Sequence, residues 1–185
     1  MTQIEIRAAT PKDVPLILTF LNELATYEKL AHEVVATERD MHAALFGERP
    51  VVETVIASLD GQAVGYALFF PTFSTFLGKP GLYLEDLYVR PAARGFGVGR
   101  KLLEHLARLT VERGWRRLEW SVLDWNEPSI GFYKKLGARP MDEWTVFRLA
   151  GEKLNALALA DRRFGRLEDS EKPQSVEQEI KRLRD

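Results

Sequence analysis

The sequence has no cysteine among its 185 residues, which excludes a disulfide framework, a thiolate metal site and a cysteine nucleophile. Its 26 basic and 27 acidic residues leave a formal net charge of -1, so no global basic field attracts nucleic acid or an anionic membrane. The chain has no run near the roughly 18 apolar residues of a membrane span, and its N-terminus lacks the apolar core of a signal peptide. We therefore expect a cytoplasmic protein without nucleic-acid or membrane partners.

Apolar patterns of period two and of helical period predict the order of strands and helices. The order is strand, two helices, three strands, helix, strand, helix and strand. The second and third strands flank Asp60-Gly61, a strong hairpin signal, so we expect them to be antiparallel. The last two strands are "WRRLEWSVL" and "EWTVFRL". Because this order is not a repeated strand-helix-strand unit, the fold class is α/β, with a mixed, mostly antiparallel central sheet and flanking helices.

The composition of the chain changes after about residue 150. Residues 153–164, "KLNALALADRRF", could form one or two helical turns, but residues 165–185 are charged and poor in apolar side chains, and they contain Pro173. Such a segment lacks the apolar surface that offsets chain entropy. We predict one domain over residues 1–150, followed by a C-terminal extension that is partly disordered or marginally helical.

The stretch "RPAARGFGVGRKLLEHL", residues 90–106, places three alternate glycines where a helix begins. The amide groups of a helix N-terminus are unpaired and the helix dipole adds positive charge, so this turn predicts an anion site. A P-loop requires Gly-Lys-Ser/Thr, but Gly99 is followed by Arg-Lys-Leu. A dinucleotide fingerprint requires a third glycine where Arg100 stands. What remains is Arg94-x-x-Gly97-x-Gly99.

That motif resembles the pyrophosphate-binding motif of the GNAT superfamily of acyl-CoA-dependent N-acetyltransferases. "YLEDLYV", "RGFGVG", "WNEPSIGFYKKLGA" and "LATYE" together resemble its diamine (spermidine/spermine) N-acetyltransferase branch, over roughly residues 3 to 150. The resemblance implies the GNAT fold, acetyl-CoA as co-substrate, no metal and a homodimer. Phe69, Phe70, Phe73 and Phe76 add a local indication of an interface, because one small domain does not readily cover so many aromatic rings.

The resemblance also indicates which residues bind the cofactor. Backbone amides along the strand at 81–89 are expected to meet the pantetheine arm, and the glycine turn to meet the phosphates. The predicted cofactor-binding residues are Leu87, Tyr88, Val89, Arg94, Gly95, Phe96, Gly97, Val98, Gly99, Arg100, Asn126 and Ser129.

Acetyl transfer from a thioester to an amine needs a neutral amine and a proton for the departing thiolate. The resemblance implies that Glu85 is the base, acting through water, and that Tyr133 is the acid. Strand alternation places Glu85 and Asp86 on opposite faces, so we do not expect them to have the same role. With neither a cysteine nor a serine-histidine pair in evidence, direct attack in a ternary complex is the simpler mechanism. The three histidines do not have metal-ligand spacing.

Acidic and aromatic residues in the segments that form the family's acceptor channel predict a small cationic substrate. The predicted substrate-binding residues are Tyr27, Glu28, Glu85, Asp86, Glu143 and Trp144. A diamine, a polyamine or a lysine-like amino acid has the required charge. The alternative is a catalytically inactive CoA-binding regulatory or scaffold protein of the same fold, although such a protein would need neither Glu85 nor Tyr133.

Overall fold

The structure, a computed structural model, describes residues 2–170, with the backbone alone for residues 161–170. It comprises two compact units, Met1–Ile130 and Gly131–Asp185, which we describe separately. The strands are β1 (Ile4–Ala8), β2 (Glu53–Leu59), β3 (Gln62–Ser74), β4 (Lys79–Val89) and β5 (Leu118–Trp120). The helices are α1 (Val14–Tyr27), α2 (Glu38–Phe46), α3 (Val98–Glu112), α4 (Glu127–Lys135) and α5 (Gly151–Ser170). No helix within the described residues combines the length and apolarity that crossing a membrane requires.

The five strands form one sheet in the order β1-β2-β3-β4-β5. Neighbours are antiparallel from β1 to β4, whereas β5 runs parallel to β4. Between β2 and β3, Asp60 and Gly61 have φ angles of 49° and 80°, as a two-residue turn with two left-handed residues requires. The predicted fold class and the predicted hairpin are therefore confirmed.

Helix α1 packs its apolar stripe on one face of the sheet. Ile17, Phe20 and Leu24 are buried in a cluster that includes Tyr66 and Tyr88 of the sheet. The rings of Phe20 and Tyr66 are stacked, with centroids 5.6 Å apart. Each large apolar side chain buried here stabilises the fold by about 1.5–3 kcal/mol. The helix is thereby held against β3 and β4, and its C-terminal turn lies beside the candidate site.

The last two predicted strands differ from those observed. β5 contains three residues of the nine in "WRRLEWSVL", and residues 143–149 form no strand. Val146 is 83% exposed and Phe147 is 91% exposed. The alternating pattern favours a strand, but a strand also needs a partner for its backbone groups, and the described residues supply none for this segment.

The C-terminal extension is described only in part. Residues 151–170 form α5, whose leucines at 154, 157 and 159 are about half exposed. The rest of the predicted extension, residues 171–185, lies outside the described residues. The boundary at residue 150 stays a prediction.

Candidate active site

Strand β4 separates from β5 halfway along its length. The parallel pairing joins Leu82, Tyr83 and Leu84 of β4 to β5 and ends there. From Glu85 to Val89, no strand in the described part of the chain pairs with this edge of β4. The sheet is therefore open along the second half of β4, which leaves backbone groups exposed in a gap.

A β-bulge lies at the point where the gap begins. Leu68 of β3 pairs with Asp86, and the next residue, Phe69, pairs with Leu84. Glu85 is thus an extra residue in β4, and it interrupts the alternation of side chains. The expectation that Glu85 and Asp86 lie on opposite faces assumed a regular strand, so the bulge removes its basis.

The bulge also determines which backbone amides face the gap. The amide of Arg90 donates a hydrogen bond to the carbonyl of Val64, on the β3 side. Because amide directions alternate along a strand, those of Val89 and Leu87 point to the opposite side, into the gap. These are the amides predicted to meet an extended ligand. Tyr88 lies between these two residues in the alternation, so its amide points to β3, and its side chain is buried against Phe20.

The glycine turn after β4 leaves open space in front of the α3 N-terminus. Gly95 and Gly97 have φ angles of 84° and 89°, and a Cβ atom at either position would meet no atom within 4 Å. Gly97 is the N-cap and has no side chain to bond the first amides of the helix. The first turn has no acidic residue. These amides and the helix dipole form a place where an anion is stabilised.

Two arginines of the glycine motif have different surroundings. The Nε of Arg94 donates to the carbonyl of Val89 at 2.9 Å, and its guanidinium lies 4.8 Å from the centroid of the Tyr27 ring. The Nε of Arg100 instead donates to Glu104 at 2.9 Å, one turn along α3. Arg94 is thus held at the edge of the gap, whereas the Arg100 side chain forms an exposed ion pair.

Asn126 is buried at the start of α4. Its Oδ1 accepts a hydrogen bond from the hydroxyl of Tyr27 at 3.1 Å and one from the amide of Ser129 at 3.4 Å. The second bond caps the helix, a role for which asparagine is strongly preferred. The ring of Trp125 lies 5.9 Å from that of Tyr27 and beneath the Nζ of Lys29.

The carboxylates of Glu28, just after α1, and of Glu85 and Asp86 on β4 interact beside the bulge. Asp86 accepts a hydrogen bond from the hydroxyl of Tyr66 at 2.9 Å. Burial raises the pKa of Asp86; the bond from Tyr66 opposes this change, and the charge of Glu85 adds to it. Burial, followed by the charge of Asp86, raises the pKa of Glu28. Crowded and partly dehydrated carboxylates of this kind are stabilised when a cation binds.

Three of the predicted site residues belong to the second unit. The ring of Tyr133 is half-buried, with its centroid 5.4 Å from that of Phe132. The carbonyl of Tyr133 accepts hydrogen bonds from the amides of Leu136 and Ala138, which end α4. Glu143 and Trp144 are exposed, and the amide of Trp144 donates to the carbonyl of Met141.

Sequence reasoning missed the contribution of Tyr66 and the backbone conformation of Lys29. The pattern around Tyr66 predicts a core strand residue, and only the register across the bulge brings its hydroxyl to Asp86. Lys29 has a φ angle of 64°, which is uncommon for a residue other than glycine. Lys29 comes after the C-cap residue Glu28, at a position where helices commonly have a glycine, and the sequence has no glycine there to indicate the left-handed conformation.

Comparisons with known proteins show the family of the chain. Residues 19–138 match the acetyltransferase (GNAT) family. A thialysine N-epsilon-acetyltransferase from Sus scrofa is 37% identical over 169 residues, which cover 85% of this chain and 99% of that protein. A spermidine/spermine N(1)-acetyltransferase-like protein from Homo sapiens is 32% identical over 168 residues, covering 85% of this chain and 24% of that protein.

A solved structure also shares the fold. An integron cassette protein from the mobile metagenome of V. cholerae superposes with a TM-score of 0.70 at 29% identity, covering 84% of this chain and 97% of that one. The family match includes both the opened part of β4 and the glycine turn before α3. The chain belongs to the acetyltransferase (GNAT) family and is an N-acetyltransferase.

Proposed function

We propose that the chain transfers the acetyl group of acetyl-CoA to the side-chain amine of a small cationic substrate, a lysine-like amino acid or a diamine. The observation that carries the proposal is the group of carboxylates, Glu28, Glu85 and Asp86, where β4 opens. Two of these carboxyls have a raised pKa, so an ammonium group placed among them relieves their repulsion. Both relatives described above have names that specify cationic amines.

Acetyl-CoA fits the open edge of β4 and the glycine turn. The amides of Leu87 and Val89 would bond carbonyl oxygens of the pantetheine arm, as a strand would. The diphosphate would meet Arg94 and the amides from Gly95 to Arg100, including those of Phe96 and Val98. Asn126 and Ser129 are assigned to the cofactor by the family resemblance. The bound thioester supplies the activated acetyl group.

The acceptor must lose a proton to react. An alkylamine with a pKa of about 10.4 is neutral in only about one molecule in a thousand at pH 7.4, a cost of about 4 kcal/mol. We assign the removal of this proton to Glu85, through a water molecule. The neutral amine nitrogen attacks the thioester carbonyl directly, the C–S bond breaks, and the hydroxyl of Tyr133 protonates the sulfur. The proton that the nitrogen loses on forming the amide returns Tyr133 to its neutral form.

The end of α1 favours an acceptor with a carboxylate of its own. Lys29 follows Glu28, and its Nζ lies 5.7 Å from the centroid of the Trp125 ring. A lysine-like acceptor carries an α-carboxylate that this cation would attract, whereas a diamine has no carboxylate. The thialysine acetyltransferase is also the relative that the match covers almost completely.

A panel of acceptors tests the proposed substrate class. Lysine and 1,5-diaminopentane differ only in the carboxylate, and pentylamine lacks the second cation. At low salt, we expect kcat/KM for lysine and for the diamine to exceed that for pentylamine at least about 10-fold, and the ratio to shrink at high salt. A kcat/KM for pentylamine that equals the values for lysine and the diamine at both salt concentrations would contradict the carboxylate site.

Gly97 tests the proposed diphosphate site. Gly97→Val should weaken binding of acetyl-CoA by about 10-fold or more, because the side chain enters the space in front of the first α3 amides. Gly114→Val is the matched control: Gly114 ends α3 with a φ angle of 69°, and a Cβ atom there also meets nothing within 4 Å. Both variants replace a glycine of positive φ, so a difference between their acetyl-CoA affinities, measured by calorimetry, reports the position of the side chain and not backbone strain. Equal acetyl-CoA affinities for the two variants would contradict the diphosphate assignment.

Two finer expectations stay predictions. We propose a homodimer, supported by the exposed Phe73 (60%) and Phe76 (93%) near the β3–β4 turn. Sedimentation that shows only a 21.1 kDa species would contradict it. The cytoplasmic location rests on composition.

A further inference from the structure

Tyr27, in the last turn of α1, contacts two segments assigned to the cofactor. Its hydroxyl donates to the Oδ1 of Asn126 at 3.1 Å. The guanidinium of Arg94 lies over its ring at 4.8 Å from the centroid. Tyr27 and Arg94 also line one surface depression, together with Thr26 and Pro91. The side chain therefore links the glycine turn to the start of α4.

The contacts restrict how Arg94 is oriented. Its Nε donates to the carbonyl of Val89, and the carbonyl and amide of one strand residue point to the same edge. The bond thus ties Arg94 to the open side of β4. With Nε bonded and one face of the guanidinium on Tyr27, the Nη groups are the ones left to bind an anion. A cation over an aromatic ring contributes about 0.5–2 kcal/mol.

One turn earlier on α1, Glu23 holds the other end of the same loop. Its carboxylate accepts three hydrogen bonds from Arg90, two from Nε at 3.0 and 3.2 Å and one from Nη2 at 2.8 Å. Arg90 and Arg94 flank the short turn Pro91–Ala93, which leads into the glycines. Helix α1 therefore fixes both ends of this turn, through Glu23 at one end and Tyr27 at the other.

We propose that Tyr27 is a positioning residue for the diphosphate of acetyl-CoA, acting through Arg94 and Asn126, and that it is not an acceptor contact. This inference rests on the proposed diphosphate site, and it changes the substrate-binding role that the sequence predicts for Tyr27. Because Arg94 is already oriented, less conformational freedom is lost when the phosphate binds. The benefit is confined to donors that carry a diphosphate.

The test compares acetyl-CoA with S-acetylpantetheine, which has the same thioester but no diphosphate. Tyr27→Leu should raise KM for acetyl-CoA by about 10-fold, with kcat and the amine KM nearly unchanged, and should leave KM for S-acetylpantetheine within about 2-fold. Tyr27→Phe keeps the ring under Arg94 and loses only the bond to Asn126, so its effect should be smaller. In an Arg94→Gln background, Tyr27→Leu should add little.

The possible outcomes separate this inference from the proposed function. An increase in the amine KM, or equal losses with both donors, would overturn the role of Tyr27. If Gly97→Val and Arg94→Gln weaken acetyl-CoA binding while both Tyr27 variants do not, only this inference fails. If neither Gly97→Val nor Arg94→Gln affects acetyl-CoA, the proposed diphosphate site fails. Thermal melting of each variant checks its folding, and Tyr27→Phe provides the test should Tyr27→Leu not fold.

Discussion

Replacing Tyr133 with phenylalanine is expected to lower kcat by about 100-fold or more, with little change in either KM. The substitution keeps the ring beside Phe132 and removes the hydroxyl proposed to protonate the departing thiolate. General acid catalysis contributes about 10²–10⁴-fold to a rate. Release of CoA can be followed with a chromogenic disulfide, and the absence of cysteine from the chain keeps protein thiols from contributing to the signal.

Tyr83→Phe is the matched control for Tyr133. It removes a hydroxyl that bonds Ser121 at 2.7 Å, on the part of β4 that pairs with β5. We expect this variant to retain kcat within about 2-fold. A Tyr133→Phe enzyme that also stays within 2-fold would show that the hydroxyl does not supply the proton.

Asp86→Asn is expected to have opposite effects on activity and on stability. Loss of the carboxylate should lower kcat/KM for lysine about 10- to 100-fold, the effect of losing about 1.5–3 kcal/mol from a charged hydrogen bond, and should affect pentylamine less. The free protein should melt at a higher temperature at pH 7. Asparagine can still accept the hydrogen bond from Tyr66, and it has no charge to dehydrate.

The pH dependence of that stability difference follows from the raised pKa of Asp86. The folded protein holds this proton to higher pH than the unfolded chain, so the contribution of Asp86 to stability falls as pH rises through the folded pKa. The stabilising effect of Asp86→Asn should be present at neutral pH. It should disappear below the ordinary aspartate pKa of about 3.9, where wild-type Asp86 is neutral in both states. Calorimetric melting of both proteins from neutral to acidic pH measures it. A lower melting temperature for the variant at pH 7 would contradict the burial argument.

Local signals in the sequence were sufficient for most of the sheet and for the glycine turn. Asp60-Gly61 predicts its hairpin because few residue pairs accept two left-handed conformations. The glycines before α3 predict an anion site because the first amides of a helix have no partner within it. These are properties of short segments, and they do not depend on what the segments pack against.

Features that depend on pairing could not be predicted in the same way. No residue type or local pattern indicates the bulge at Glu85, which is seen only in the register between β3 and β4. The contact between Tyr66 and Asp86 follows from that register. The apolar alternation of residues 143–149 favours a strand, yet the pattern does not contain the partner that a strand needs.

The extra residue at Glu85 shifts the alternation of backbone amide directions along β4 by one residue. Before it, Leu82 directs its amide to β5; after it, Arg90 directs its amide to β3. In a regular strand, two residues eight positions apart would direct their amides to the same side. Substituting Glu85 removes a carboxylate but keeps the count of residues. Deleting it joins Leu84 directly to Asp86; the amides of Leu87 and Val89 still point away from β3, but the bend and added twist that a bulge gives a strand are removed. The two kinds of mutation at this position therefore test different things: a substitution tests the chemistry, whereas a deletion tests the opening of the sheet on which the chemistry depends.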